Sequence, residues 1–193
     1  MIEKTLILLK HDAVYRGLVG RIITRFEDIG LKIIATKMLL PDEKLAQNHY
    51  FLDEEWAKAV YDKTKLSYEK DGKIFPYKDH MKFGKQIQSW NINFLREGPI
   101  IAMVLEGPHA IEIVRKIVGS TEPKSSPPGT IRGDYAMMES YAIADVKNRV
   151  LRNLIHASDS TKSADREIAL WFTQKEILSY KKDLDKHFQD SKT

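Results

Sequence analysis

Asn153-Leu154-Ile155-His156-Ala157-Ser158-Asp159-Ser160 sets one histidine among small, hydroxyl and acidic residues just ahead of a helical stretch. A neutral imidazole nitrogen can attack an electrophilic phosphorus and hold the phosphoryl group covalently, dividing one hard transfer between two bulky anions into two easier ones. Such a nucleophile has to be held in one tautomer, and Glu167 is the candidate for that task. Residues 163–172 read as a helix with Ser163 as its N-cap and acids in its first turns. From the helix start Glu167 can reach back to one ring nitrogen of His156 and leave the other free to attack. Lys10 ends a short apolar run and Arg132 ends a loop. Both are cation types that hold phosphate oxygens, the guanidinium through paired hydrogen bonds. Taken singly, each has a bland reading: a hydrogen-bonded core histidine, a solvated strand terminus.

The elements that must position these groups alternate along the chain. Residues 4–9 form an apolar run rich in strand formers that stops abruptly at Lys10-His11-Asp12, so a first strand delivers Lys10 to a sheet edge. Leu18, Ile22, Ile23, Phe26 and Ile29 recur at helical spacing, and Gly30 supplies the stop. Residues 31–40 alternate and are β-branched, predicting a second strand, and Pro41-Asp42 opens a helix toward His49 and Tyr50. Residues 53–68 and 80–95 carry apolar positions at helical spacing on either side of a turn region marked by Asp71-Gly72 and Pro76. The continuous apolar run 100–105 predicts a buried strand. Residues 108–118 follow as a helix, with Arg115 near its C-terminus, where it can offset the helix dipole. Prolines, glycines and hydroxyls make 119–133 a loop.

A regular strand through 153–156 would send Asn153 and His156 to opposite faces, because their separation is odd. A helical turn at Asn153 leading into a strand near His156 would put both on one side. Beyond Phe172, Ile177, Tyr180, Leu184 and Phe188 recur at helical intervals and predict a C-terminal helix that packs on the domain or on a neighbouring subunit. The fold class expected is α+β, a ferredoxin-like βαββαβ antiparallel sheet with helices on one face, an enlarged helical segment and a C-terminal helix.

Composition bounds the possibilities. At 193 residues with 42% hydrophobic content the chain is expected to be a single domain, 1–193. Its longest wholly apolar run, 100–105, is far too short to span a bilayer, and no cleavable leader is evident. No membrane partner is expected, and the cytoplasm is the expected setting. Zero cysteines exclude disulfides and thiolate metal sites. A formal charge of +4 suits anionic partners such as nucleotides, and equally describes a lysine-rich solvated surface. The chain has no dense carboxylate cluster, so no protein metal site is expected.

The stretch 153–160 resembles the active-site signature of nucleoside diphosphate kinases, Asn-x-x-His-Gly/Ala-Ser-Asp. The resemblance continues, in the family's order, in Lys10-His11-Asp12-Ala13 and in Pro128-Gly129-Thr130-Ile131-Arg132-Gly133-Asp134. It implies ping-pong transfer of the γ-phosphoryl group from a nucleoside triphosphate to a nucleoside diphosphate through phospho-His156. By the same resemblance Lys10, Arg115 and Arg132 hold the phosphates, with Thr121 a further ligand. Asn153 contacts the sugar hydroxyl, Ser158 and Glu167 support the histidine, and Tyr50 is a pocket tyrosine near the catalytic lysine and histidine. Mg²⁺ is implied as bound with the nucleotide, and a homo-oligomer, hexamer or tetramer, is implied because family members use a similar proline-rich loop at subunit contacts.

There are departures from the family pattern. His11 stands where the family commonly has proline, which is expected to alter the local turn more than the chemistry. Residues 51–97 are longer than usual and read as an enlarged helical lid over the nucleotide pocket, with a surface elaboration or an oligomer contact as the bland reading. Residues 135–152 form a second longer segment, and 173–193 a C-terminal helix or tail. The aromatic that stacks on the base falls inside the enlarged segment, where Trp56, Phe75 and Phe83 are candidates. The alternative class is a nucleotide- or nucleic-acid-binding ferredoxin-like module without catalysis. It calls for aromatics on adjacent central strands, where this chain carries aliphatics, so nucleic acid is not an expected partner.

Overall fold

The computed structural model describes residues 2–183. In chain order these form β1 (Ile2–Leu9), α1 (His11–Tyr15), α2 (Val19–Glu27), β2 (Lys32–Leu39), α3 (Glu43–His49), α4 (Glu54–Lys70) and α5 (His80–Arg96). There follow β3 (Ile100–Pro108), α6 (Ala110–Val118), α7 (Ile131–Tyr135), α8 (Tyr141–Val146), β4 (Ile155–Ala157) and α9 (Thr161–Trp171). The strands build one antiparallel sheet in the order β2-β3-β1-β4, the ferredoxin-like arrangement expected from the alternation of elements.

The sheet is covered on both faces, which corrects the expectation of helices on one. Leu6, Leu8, Ala102 and Val104 pack with Ala46 of α3, Leu95 of α5 and Ala164, Ile168 and Trp171 of α9. Ile7, Leu9, Met103 and Leu105 pack with Ile22 and Phe26 of α2 and with Ala110, Val114 and Val118 of α6. The cause is in β1 itself, where residues 5 to 9 are all fully buried. A run that does not alternate has no face to offer to water. Each wholly buried leucine or isoleucine contributes about 1.5–3 kcal/mol, so the sheet is a firm platform for whatever projects from its ends.

Capping sets the helix boundaries. Asp42, Asp53 and Asp79 lie in extended backbone and accept from Leu45 N, Trp56 N and both Met81 N and Lys82 N, starting α3, α4 and α5. At α9 the cap is Ser160, which accepts from Ser163 N at 3.2 Å, so Ser163 is not the N-cap but lies inside the first turn. Two serines three residues apart can each cap; the extended backbone at Ser160 decides between them.

The expected C-terminal helix is absent from the described residues. After a single 3₁₀ turn at Gln174–Glu176 the chain runs along the edge of β2. Leu178 N donates to Ile34 O at 2.8 Å, and Tyr180 Oη to Ile33 O at 2.7 Å. Strand β2 lies at one end of the strand order and breaks register between Ile33 and Ala35, leaving carbonyls that the tail satisfies. Leu184 and Phe188, the rest of the expected helix, lie outside the described residues. Among the described residues no helix is long and apolar enough to cross a membrane.

The enlarged segment is a hairpin of α4 and α5 closed around rings. Phe83 packs on Phe75 and Tyr77, with centroids at 5.3 and 4.5 Å. The two helices approach so closely at Gly84 that a Cβ there would come within 2.6 Å of Ala57 Cβ. This hairpin meets the second longer segment through Tyr68 Oη, which donates to Asp145 Oδ2 at 2.7 Å.

Candidate active site

His156 lies opposite Leu8 in the β1–β4 ladder, so its ring shares the sheet face covered by α9 and α3. Glu167, on α9, reaches back to it as the spacing suggested: Nε2 and Oε2 are 3.0 Å apart. Ser158 Oγ donates to the same carboxylate oxygen at 2.6 Å. Burial pushes the Glu167 carboxyl up, but the charge His156 can carry, its hydrogen bond, His49 and Ser158 together outweigh burial and hold it at about 2. An ionised carboxylate only accepts hydrogen bonds. The proton is therefore on Nε2, and Nδ1 presents a lone pair.

His49 stands edge-on to His156, with ring centroids 4.5 Å apart and an interplanar angle of 83°. Trp171 Nε1 donates to His49 Nδ1 at 3.2 Å and fixes the ring. Burial, reinforced by His156, keeps His49 well below the usual histidine range and so neutral. The sequence reading gave His49 no part in the site, and only its place beside Tyr50 could have pointed to it. His49, His156 and Glu167 offer one donor atom each within 4.8 Å of one another. The lone pair of His49, however, is taken by Trp171, and two imidazoles are not the all-oxygen set that Mg²⁺ prefers.

Lys10 leaves the end of β1 beside the start of β4, its backbone N donating to Leu154 O at 2.8 Å. Its Nζ donates to Asn153 Oδ1 at 2.8 Å, and Asn153 Nδ2 donates to Thr121 O at 2.7 Å. The irregularity needed to bring Asn153 and His156 into one site is present in another form than the helical turn expected. Leu154 has a φ of 69°, and Ile155 N donates to Asn153 O at 2.8 Å, closing a γ-turn with a left-handed centre. That conformation is strained for leucine. It is held by buried Asp12, whose Oδ2 accepts from Leu154 N at 3.1 Å. Burial, then the nearby Arg132, brings the Lys10 ammonium down to about 8.

The two arginines differ sharply. Arg132 is buried and donates to three carbonyls: Asn153 O at 3.2 Å, Gly119 O at 3.1 Å and Ile155 O at 2.6 Å. Burial first, then Arg115, brings its pKa down to about 10. It braces the turn that carries Asn153 and the strand that carries His156. Arg115 is exposed, and its side chain makes no hydrogen bond or ion pair among the described residues. Thr121 accepts at Oγ1 from Lys63 Nζ at 2.6 Å. Tyr50 caps α3 with its ring 4.6 Å from that of His49, and burial raises its phenol.

Of the candidates for base stacking, Phe83 is fully buried and Phe75 belongs to the hairpin's ring cluster, so both serve the core; Trp56 stays half-buried. His11 does more than adjust a turn. It is buried, its Nε2 lies 3.2 Å from Glu97 Oε2, and its ring packs edge-on to Phe94 at 4.4 Å, tying α1 to the end of α5.

The family model for nucleoside diphosphate kinase matches residues 3–76 and 61–177. A nucleoside diphosphate kinase of Pyrobaculum aerophilum is 46% identical over 182 residues, 92% of this chain and 98% of that one. One of Borreliella burgdorferi is 39% identical over 185 residues, 95% of each. Among solved structures, an NDP kinase from Pyrobaculum aerophilum superposes with a TM-score of 0.86 at 43% identity, covering 93% of this chain and all of that one. A nucleoside-diphosphate kinase from Borrelia burgdorferi, described as a transition state mimic with bound vanadate and ADP, gives 0.78 at 38% identity with 96% of each chain covered. At such coverage most of residues 51–97 has a counterpart in these relatives, so the enlarged hairpin is not peculiar to this chain. A match that runs nearly from end to end, on a fold whose sheet brings the signature residues together, leaves one assignment: the chain belongs to the nucleoside diphosphate kinase family.

Proposed function

We propose that this kinase carries the γ-phosphoryl group on His156 Nδ1 between a nucleoside triphosphate and a nucleoside diphosphate. The observation that carries the reading is the 3.0 Å contact of Nε2 with a carboxylate held ionised. In the first half-reaction the Nδ1 lone pair forms a bond to phosphorus. The bond from phosphorus to the bridging oxygen breaks, and the nucleoside diphosphate leaves with that electron pair. In the second, the terminal oxygen of an incoming diphosphate takes the group and Nδ1 recovers its lone pair. Glu167, steadied by Ser158, compensates the positive charge that develops on the ring. Lys10, Arg115 and Thr121 hold phosphates, Arg132 positions them through the backbone it braces, Asn153 meets the sugar, and Tyr50 lines the pocket. Mg²⁺ arrives as part of the nucleotide substrate. Incubation with γ-labelled ATP should leave acid-labile label on the protein that a nucleoside diphosphate removes; a protein that stays unlabelled while turning over would sink the covalent route.

The buried Lys10 adds a pH signature. Its pKa is lowered from 10.5 to about 8, so in the free enzyme the ammonium is present below about pH 8 and lost above it. Phosphate attraction follows the charge, and kcat/KM for a diphosphate is expected to fall as pH rises through about 8, approaching a tenfold loss per unit. In Lys10→Met the inflection should vanish from a profile that is lower throughout. An unchanged inflection in that variant would assign it elsewhere.

The same reading makes the enzyme a homo-oligomer, hexamer or tetramer, of the cytoplasm, a setting that its cysteine-free composition suits. In support, the loop 119–130 has no strand pairing, and the second longer segment exposes Met137, Met138 and Val146. Light scattering at micromolar concentration is expected to give four or six times 22.3 kDa. An active particle of one chain mass would overturn it.

A further inference from the structure

The α4 arm of the enlarged hairpin reaches the phosphate end of the site through Lys63. Lys63, on the third turn of α4, keeps solvent access, and its Nζ donates to Thr121 Oγ1 at 2.6 Å. Thr121 O accepts from Asn153 Nδ2 at 2.7 Å, and Asn153 Oδ1 accepts from Lys10 Nζ at 2.8 Å. An unbroken chain of contacts thus joins α4 to the catalytic end of β1.

The helix that carries Lys63 is fixed in place. Ser67, one turn further on, donates to the Glu122 carboxylate at 3.1 and 3.2 Å. Glu122 is buried and also accepts from Ser125 Oγ and Tyr141 N, both at 2.9 Å. The second longer segment reaches the same carboxylate, since Tyr141 supplies one of these donors. Around the Lys63 head, burial and the charges of Arg115 and Arg132 lower its pKa, against Glu122 and Asp159. Two guanidinium charges acting on one ammonium, one of them from Arg115, whose side chain has no partner among the described residues, make an arrangement that an incoming anion relieves. An ammonium has three N–H donors, so Lys63 can keep its bond to Thr121 and still meet a phosphate oxygen.

We propose that Lys63 is a further phosphate-binding residue of this kinase, delivered by the enlarged hairpin to the phosphate that Thr121 and Arg115 hold. This rests on the phosphate roles given to Thr121 and Arg115 above. In it the hairpin is part of the binding machinery, with α4 supplying a cation.

The test is Lys63→Met, with Lys63→Gln beside it and Ser67→Ala as a control that loosens the docking of α4 without removing a charge. Affinities of the unphosphorylated enzymes for ADP and for adenosine are measured by calorimetry and NMR titration, with thermal melting to confirm folding. Loss of Lys63 is expected to weaken ADP by about tenfold or more, as for a charge-assisted hydrogen bond. Adenosine should be unchanged, the salt dependence of ADP binding reduced, and Ser67→Ala near wild type. ADP affinity within twofold of wild type in both Lys63 variants would overturn the proposal. So would a loss shared equally by ADP and adenosine, or a Ser67→Ala loss as large, since each marks a tether for the helix. Phosphoryl labelling of wild type keeps the two readings apart: label with unchanged ADP affinity sinks Lys63 alone, whereas no label sinks the covalent route.

Discussion

His156→Ala is expected to lose both the acid-labile label and turnover, by at least about 10⁴-fold, because the residual rate then rests on phosphate positioning alone. The fold should survive. His156 is partly exposed, Glu167 keeps Ser158 as a donor, and strand β4 is held by its backbone ladder to β1. Neighbouring imidazoles offer no substitute. His49, the nearest, is buried and its lone pair is committed to Trp171, and His11 is buried against Phe94 and Glu97. Quenched labelling with mass mapping, beside circular dichroism, checks the outcome. Turnover retained with label on His11, His49, His80, His109 or His187 would displace the assignment.

What was legible in the sequence followed local rules. The apolar run of β1, the opening of α3 at Pro41-Asp42 and the reach of Glu167 to His156 each depend on residues close together in the chain, and each is found where the spacing puts it. The signature stretch itself shows where such rules stop. Leucine is a poor choice for a positive φ, so nothing in residues 153–156 announces the γ-turn; it is stabilised from Asp12, far away in sequence. Ile177 and Tyr180 have helical spacing, yet a short terminal helix is marginal in water. The open edge of β2 offers the tail backbone and hydroxyl partners instead. Phe75 and Phe83 look like stacking aromatics by type, and only the packing of α4 on α5 shows that they hold the hairpin together. The two-faced sheet was the one readable feature overlooked: five consecutive buried positions in β1 already called for cover on both sides.

Arg132→Lys is expected to cost roughly 3 kcal/mol of stability, whereas Arg115→Ala should leave stability within about 0.5 kcal/mol and weaken diphosphate binding about tenfold. Sequence gives the two arginines the same role, and their surroundings separate them. Arg132 spreads three donors to the carbonyls of Gly119, Asn153 and Ile155. A lysine ammonium is a point donor and cannot serve three diverging acceptors, so at least two carbonyls would lose a hydrogen bond. Among them are the carbonyl before Leu154 and the one after it, so the γ-turn should loosen and take Asn153 and His156 out of register, lowering kcat as well as affinity. Arg115 has no such commitments, so its removal should appear in KM and not in the melt. Denaturant unfolding and steady-state kinetics on both variants decide the matter. An Arg132→Lys protein that unfolds like wild type and differs only in KM would make Arg132 a phosphate ligand and nothing more, and the brace of β4 would have to lie elsewhere.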